Sequence, residues 1–193
     1  MNISDSLNNG FIMGSGSFYG GFVGHMRSNA NMTMTISNCI NNETVSANMN
    51  AGGLVGNVYS SDDSHSMSLS IINCENKGSV FEKGGMACGM VCVDSGKNHN
   101  INTTIINSIN KGSVNASVYG YGVTNTITLA RNVVSMGKVT GSSGSYTFWN
   151  ASTDVSSLYG LYNKCLNTVV KIQCSSNSTQ THGSMKRLGL TEM

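Results

Sequence analysis

The feature that most constrains this chain is a repeat of 33–36 residues written only in strands and turns. Its clearest copies are ISNCINNETV (36–45), IINCENKGSV (71–80) and IINSINKGSV (105–114). Their anchors Asn38, Asn73 and Asn107 lie 35 and 34 residues apart. SDSLNNGFI (4–12) fits one step earlier, with Asp5 at the anchor, and ARNVVSMGKV (130–139) fits one step later at Asn132, after only 25 residues. KIQCSSNST (171–179) is a last echo, with Cys174 and Asn177 where Cys39 and Asn42 stand.

A second phrase recurs in phase with the first. YGGFVGHM (19–26) and NAGGLVGNV (50–58) are followed by CGMVC (88–92), and YGYGV (119–123) and YGLY (159–162) are degenerate copies. Each unit therefore reads as a strand ending in Asn-Cys, an Asn-x-Gly turn, a short Val strand, a glycine-framed strand and a variable loop.

Within a unit the period is two. Met67, Leu69, Ile71 and Asn73 share one parity, with Ser66, Ser68 and Ser70 on the other. Met32, Met34, Ile36 and Asn38 repeat this against Thr33, Thr35 and Ser37, and Ile101, Ile105 and Asn107 keep the register. Such alternation marks half-buried strands. Around Asn132 the parity changes, because Ile127 and Leu129 fall on the other face; a bulge or a shortened coil accounts for it.

Composition agrees with this reading. Charged residues are 10%, against about 25% in ordinary soluble domains. Polarity rests on 25 Asn, 29 Ser and 15 Thr, with 23 Gly and no Pro, a mixture suited to strands and tight turns. With 39% hydrophobic residues and a net charge of +2, the chain lies far from disordered compositions. Scattered Lys and Arg form no basic patch, which argues against nucleic acid. No apolar run approaches the ~20 residues of a membrane-spanning helix, and no signal peptide is visible.

These observations predict an all-β chain, a right-handed parallel β-helix (solenoid) of about five to six coils with a 33–36-residue repeat. Residues 1–140 form the repeat solenoid, 141–174 a degenerate coil or cap, and 175–193 a loose polar tail. Equivalent residues then stack about 4.8 Å apart, and Asn38, Asn73, Asn107 and Asn132 form an asparagine ladder. The framing glycines admit a neighbouring backbone or a positive φ, and Gly10, Gly78, Gly112 and Gly137 suit left-handed turn positions. Glu43 replaces the turn glycine in the second unit, so its turn is expected to differ.

Lined up, GGFVG, GGLVG, NCENKGSV and INKGSV resemble GLUG-type repeats over residues 4–140. These occur in large bacterial surface proteins, including non-catalytic regions of IgA-cleaving metallopeptidases and some adhesins, and similar arrays occur in protist surface proteins. The resemblance implies an extracellular or cell-surface β-solenoid serving as rigid spacer or binding surface, with glycans or host and surface proteins as partners. It brings no catalytic residues, and two features depart from it: CGMVC replaces the outer glycines, and no signal peptide is present. The chain opens in mid-unit, which suggests a fragment.

Candidate chemistry is sparse. Cys39 and Cys74 share a column continued by Ser108, and read as small core or corner residues. Cys88 and Cys92 are four apart, which on a straight strand is about 13 Å, too far for a bond. Cys165 and Cys174 could pair across a C-terminal hairpin or cap. No C-x₂-C or paired-His motif supports a metal, and no cofactor is expected. His65 and His99 share a column near Asp62, Asp63 and Asp94, and read as solvated loop residues. The seven N-x-S/T sequons match chance for this composition.

The only close acidic pair, Asp62 and Asp63, lies in SSDDSHS, and no catalytic motif accompanies it. An alternative reading is a carbohydrate-active β-helix hydrolase or lyase using Asp62, Asp63 and Asp94, which requires carboxylates about 5–10 Å apart. Trp149 and Tyr146, in TGSSGSYTFW (140–149), either stack on a sugar or seal the end of the coil stack, and a cap is the plainer reading. Trp149, Tyr146, Asp62 and Asp63 are the candidate binding residues.

Overall fold

The computed structural model describes residues 1–60, 64–94 and 100–146, with the backbone of 151–160 and 173–174. It is all-β, without a helix among the described residues, and its strand pairs are parallel. The chain winds as a parallel β-solenoid, about three turns of which contribute a strand to all four stacks. The first stack contains Asn2–Ser4, Met32–Ser37, Ser66–Ile72, Asn100–Asn110, Ile127–Ser135 and Ala151–Gly160. The second contains Ile12–Met13, Val45–Ala47, Val80–Glu82, Val114–Asn115 and Val139–Thr140. The third contains Phe18–Gly20, Asn50–Gly52, Met86–Cys88, Tyr119–Tyr121 and Gly144–Tyr146, and the fourth Val23–Ser28, Val55–Ser60 and Val91–Val93.

Register follows the repeat. Ile36 pairs with Ile71 and Ile71 with Ile105, while Met34 and Thr103 flank Leu69. The apolar ones among these inward residues make one core with Leu54, Val55 and Met90 from the glycine-framed side. A second, smaller core stacks Val45, Val80, Val114 and Val139 in one column. Outward rows of the first stack are small and uncharged over three turns, with Thr33 beside Ser68 beside Asn102 and Thr35 beside Ser70 beside Thr104.

The expected ladder is present and sits on an unusual backbone. Asp5, Asn38, Asn73, Asn107 and Asn132 all have φ between 48° and 54°. This left-handed conformation turns each strand into the next short segment, and Asn and Asp tolerate it better than other side chains. Each amide donates to the preceding turn: Asn132 to Asn107 at 3.0 Å, Asn107 to Asn73 and Asn73 to Asn38 at 3.2 Å, and Asn38 to the Asp5 carboxylate at 3.0 Å.

The glycines act differently from expectation. None of Gly10, Gly78, Gly112 and Gly137 takes the left-handed φ; the asparagines do that. Gly78, Gly112 and Gly137 are instead required by proximity, since a Cβ on each would strike the carbonyl of Glu43, Gly78 or Gly112 one turn away. Glu43 also keeps the turn, because Asn41 Nδ2 donates to its carbonyl at 2.8 Å as Asn76 does to that of Gly78 at 2.9 Å.

The parity change near Asn132 proves to be both a shortened turn and a local irregularity. Thr104 to Asn110 pair with Leu129 to Ser135 at a constant offset, while the fourth stack is reduced to a single Val91–Thr124 bridge. Ile127 and Ala130 are both buried with two partly exposed residues between them.

Candidate functional site

Of the sequence-derived candidates, Trp149, Asp62 and Asp63 lie outside the described residues, as do His99 and Cys165. Tyr146 ends Gly144–Tyr146, paired with Tyr121, and their rings stack with centroids 5.8 Å apart. Tyr121 in turn pairs with Cys88, so Tyr146 is placed as a rung of the third stack. Burial, followed by the neighbouring phenols of Tyr146 and Tyr119, pushes the Tyr121 hydroxyl up to about 12. His65 Nδ1 lies 3.1 Å from the Ser64 hydroxyl. Asp94 follows Val91–Val93, and its N–H donates to Val58 at 2.9 Å.

Two acids are spent on structure. The Glu82 carboxylate, 6% exposed, accepts from the backbone N–H groups of Gly84, Gly85, Ser117 and Val118 and from the Ser117 hydroxyl. It ties two successive corners together, and such a buried charge is tolerable because donors surround it. Glu75 is bridged to Lys111 at 2.8 Å and Lys77 at 3.6 Å.

Sequence reasoning missed a second amide ladder. Asn8 donates to Asn41 at 2.7 Å, Asn41 to Asn76 and Asn76 to Asn110 at 2.8 Å. Asn41, Asn76 and Asn110 are fully buried, and each also donates to the carbonyl two residues on. This ladder donates toward later turns, whereas the exposed one donates toward earlier turns. Its signal was the first Asn of Asn-x-Gly, three residues past each anchor, which looked like turn chemistry alone.

The third and fourth stacks face each other across a glycine-cornered arch, and successive turns close it with different chemistry. In the first turn the Phe18 and His25 rings meet with centroids 4.5 Å apart. In the second, Asn50 donates to Asn57 at 3.2 Å, and these are the register partners of Phe18 and His25. In the third, Cys88 and Cys92 form a disulfide, both buried, with Cα atoms 5.4 Å apart. The straight-strand expectation for these cysteines is therefore wrong: Gly89 and Met90 separate two strands and turn the chain back, bringing the pair into disulfide range. Cys39 and Cys74 are free and buried, as expected. Burial foremost pushes the Cys74 thiol up to about 11.

At the first-turn mouth of this arch lies a cluster that sequence reasoning did not assemble. His25 lies between Phe18 and Tyr59, the latter 6.4 Å away between centroids. The Arg27 guanidinium sits over the Tyr59 ring at 5.3 Å, and Arg27 pairs in register with Tyr59. His25 Nε2 is 3.5 Å from Asn57 Nδ2. The partial desolvation of its ring, reinforced by the charge of Arg27, holds His25 below its ordinary 6.5, and Asp94 acts the other way. His25 and Arg27 are exposed, and Phe18, Tyr59 and Asp94 partly so. The signal was available, since HMR and NVY follow the same glycine phrase at the same offset.

Among the described residues no group of three or more His, Cys, Asp and Glu could hold a metal, and no helix is long and apolar enough to cross a membrane. No family model, curated protein or solved structure matches the chain.

Proposed function

We propose that this chain is a non-catalytic repeat region of a surface protein, acting as a rigid spacer or as an adhesive module toward glycans or other surface proteins. In this reading the coils are right-handed and number five to six, and the repeats are of GLUG type. The repeat solenoid covers 1–140, with a degenerate coil or cap over 141–174.

The observation that carries the reading is where the repeated polar groups go. Two amide ladders, one exposed and one buried, run through successive turns and consume the motif asparagines in holding turn to turn. Repetition of this kind serves length and stiffness, and leaves recognition to side chains that vary between turns. The Cys88–Cys92 disulfide suits an oxidising, extracellular setting.

A glycan-array assay on the purified chain, after circular dichroism establishes β-structure, tests the adhesive form. Selective binding supports an adhesive module, and a folded chain that binds nothing leaves the spacer. Release of reducing ends from a bound polysaccharide would overturn the non-catalytic reading.

A further inference from the structure

We propose that the corner between the first and second stacks is a docking surface for a second copy of this chain, lying alongside with its solenoid axis antiparallel. Such pairing is independent of whether the chain serves as spacer or adhesive module.

The corner charges follow one order along the axis. Five successive corners run from a ladder residue to the second stack: 5–12, 38–45, 73–80, 107–114 and 132–139. Asp5 is the charge of the first and Glu43 of the second; Glu75 and Lys77 cancel in the third; Lys111 and Lys138 are the charges of the fourth and fifth. Net charge therefore reads −1, −1, 0, +1, +1. A two-fold axis through the third corner sets each negative corner against a positive one of the other copy, Asp5 facing Lys138 and Glu43 facing Lys111. One patch then serves both copies, as an isologous interface requires. Parallel alignment in register sets like charge on like, which opposes it.

This surface lies on the flank of the stack. Asn38, Asn73, Asn107 and Asn132, in the column of Asp5, are all exposed, including those with a turn on either side. Lys77 and Lys138 are exposed, and Glu43 and Lys111 partly so. Glu43 and Lys138 have no ion-pair partner among the described residues. Lys77 and Lys111 share the one carboxylate of Glu75, so that trio keeps a positive charge.

Apolar side chains flank the exposed ladder. Ile72 and Ile106 precede it, Ile40 and Ile109 follow it, and all four are partly exposed. They supply contact area while the charges set orientation, because an exposed ion pair contributes only about 0.2–1 kcal/mol. Four steps of stacking make the face about 19 Å tall. That places the dimer among weak interfaces, which bury less than about 1,200 Å². A polyanion would suit the last two corners but meets Asp5 and Glu43 on the same surface.

The test is sedimentation equilibrium of the full chain over a hundred-fold range of concentration. A dimer is expected whose Kd rises ten-fold or more between about 0.05 and 0.5 M salt, where the Debye length shortens about three-fold. Zero-length carbodiimide cross-linking should join Asp5 to Lys138. Within one chain these lie about 19 Å apart, so the link reports an antiparallel pair. Lys111→Glu with Lys138→Glu should give a monomer, as should Asp5→Asn with Glu43→Lys, and mixing the two variants should restore a dimer. Asn at position 5 keeps the left-handed φ that the other ladder residues adopt. Circular dichroism checks that each variant stays folded. A chain monomeric throughout, a dimer indifferent to salt or to the lysine reversals, or folded variants that do not pair when mixed overturns the proposal. Heparin binding by a monomeric chain through Lys111 and Lys138 also overturns it, in favour of a polyanionic partner.

Discussion

Cys88 and Cys92 are bonded to each other across the same arch that Asn50 and Asn57 span with a hydrogen bond one turn earlier. Cys88 pairs in register with Gly52, and Cys92 falls where the fourth stack shifts register between Val55 and Val58. A shortened strand thus lets a side chain enter where the neighbouring turn has glycine, and the arch is closed covalently. The Tyr121–Tyr146 stack continues directly from this rung.

The disulfide is expected to appear within one tryptic peptide, residues 84–97, which resists alkylation until reduced. Because it closes a loop of only five residues, its entropic contribution is about 2 kcal/mol. Cys88→Ser with Cys92→Ser should therefore lower the melting temperature by several degrees without abolishing the fold. Free alkylation of this peptide in the unreduced, denatured protein would contradict the bond.

The two ladders should respond differently to the same pair of substitutions. At Asn73 the backbone φ is 54°, so Asn73→Ala suffers a left-handed penalty of about 1 kcal/mol or more, which Asn73→Gly avoids. At buried Asn76, either substitution strands the Asn41 amide and the Gly78 carbonyl, each costing about 1–3 kcal/mol. Denaturant midpoints should rank Asn73→Gly above Asn73→Ala, with both Asn76 variants well below. Equal losses at the two positions would refute the assignment of exposed turn ladder and buried ladder.

How much of this was legible in the sequence depends on what each residue obeys. The stacking of Ile36, Ile71 and Ile105 follows from parity and period alone, because a one-residue slip would turn the core outward. The exposed ladder followed from the same period. The buried ladder did not, since an Asn before a turn glycine has a local explanation that hides its long-range one. The Cys88–Cys92 bond was misread because a distance along a straight strand does not hold across a corner. The cluster around His25 was missed for a related reason: its members vary from turn to turn, and a search for repetition passes over them.

Glycine positions offer a sharp contrast. A Cβ on Gly10 meets nothing nearer than 3.7 Å, so Gly10→Ala should change stability by no more than about 0.5 kcal/mol. A Cβ on Gly112 would strike the Gly78 carbonyl, part of a backbone wall that cannot yield alone. Gly112→Ala should cost about 3 kcal/mol or more, measured by urea unfolding. Similar losses for the two would mean that conformational freedom, rather than close approach, selects these glycines.

His25 supplies a pH dependence with a definite sign. Its folded value lies below the ordinary 6.5 through partial desolvation of the ring and then the charge of Arg27, with Asp94 opposing. Between the folded and unfolded values the unfolded chain binds more protons, so stability rises with pH across that window. The full contribution of neutral His25 is present above about 6.5, is lost as pH falls toward the folded value, and changes no further below it. Urea midpoints for wild type and His25→Gln at pH 7.5 and pH 5 isolate this term, because the carboxylates titrate in both. Wild type should lose more stability on acidification than His25→Gln. An equal loss in both would show that the Phe18–His25 contact accepts the protonated ring without penalty, and that the arch mouth is wetter than its packing indicates.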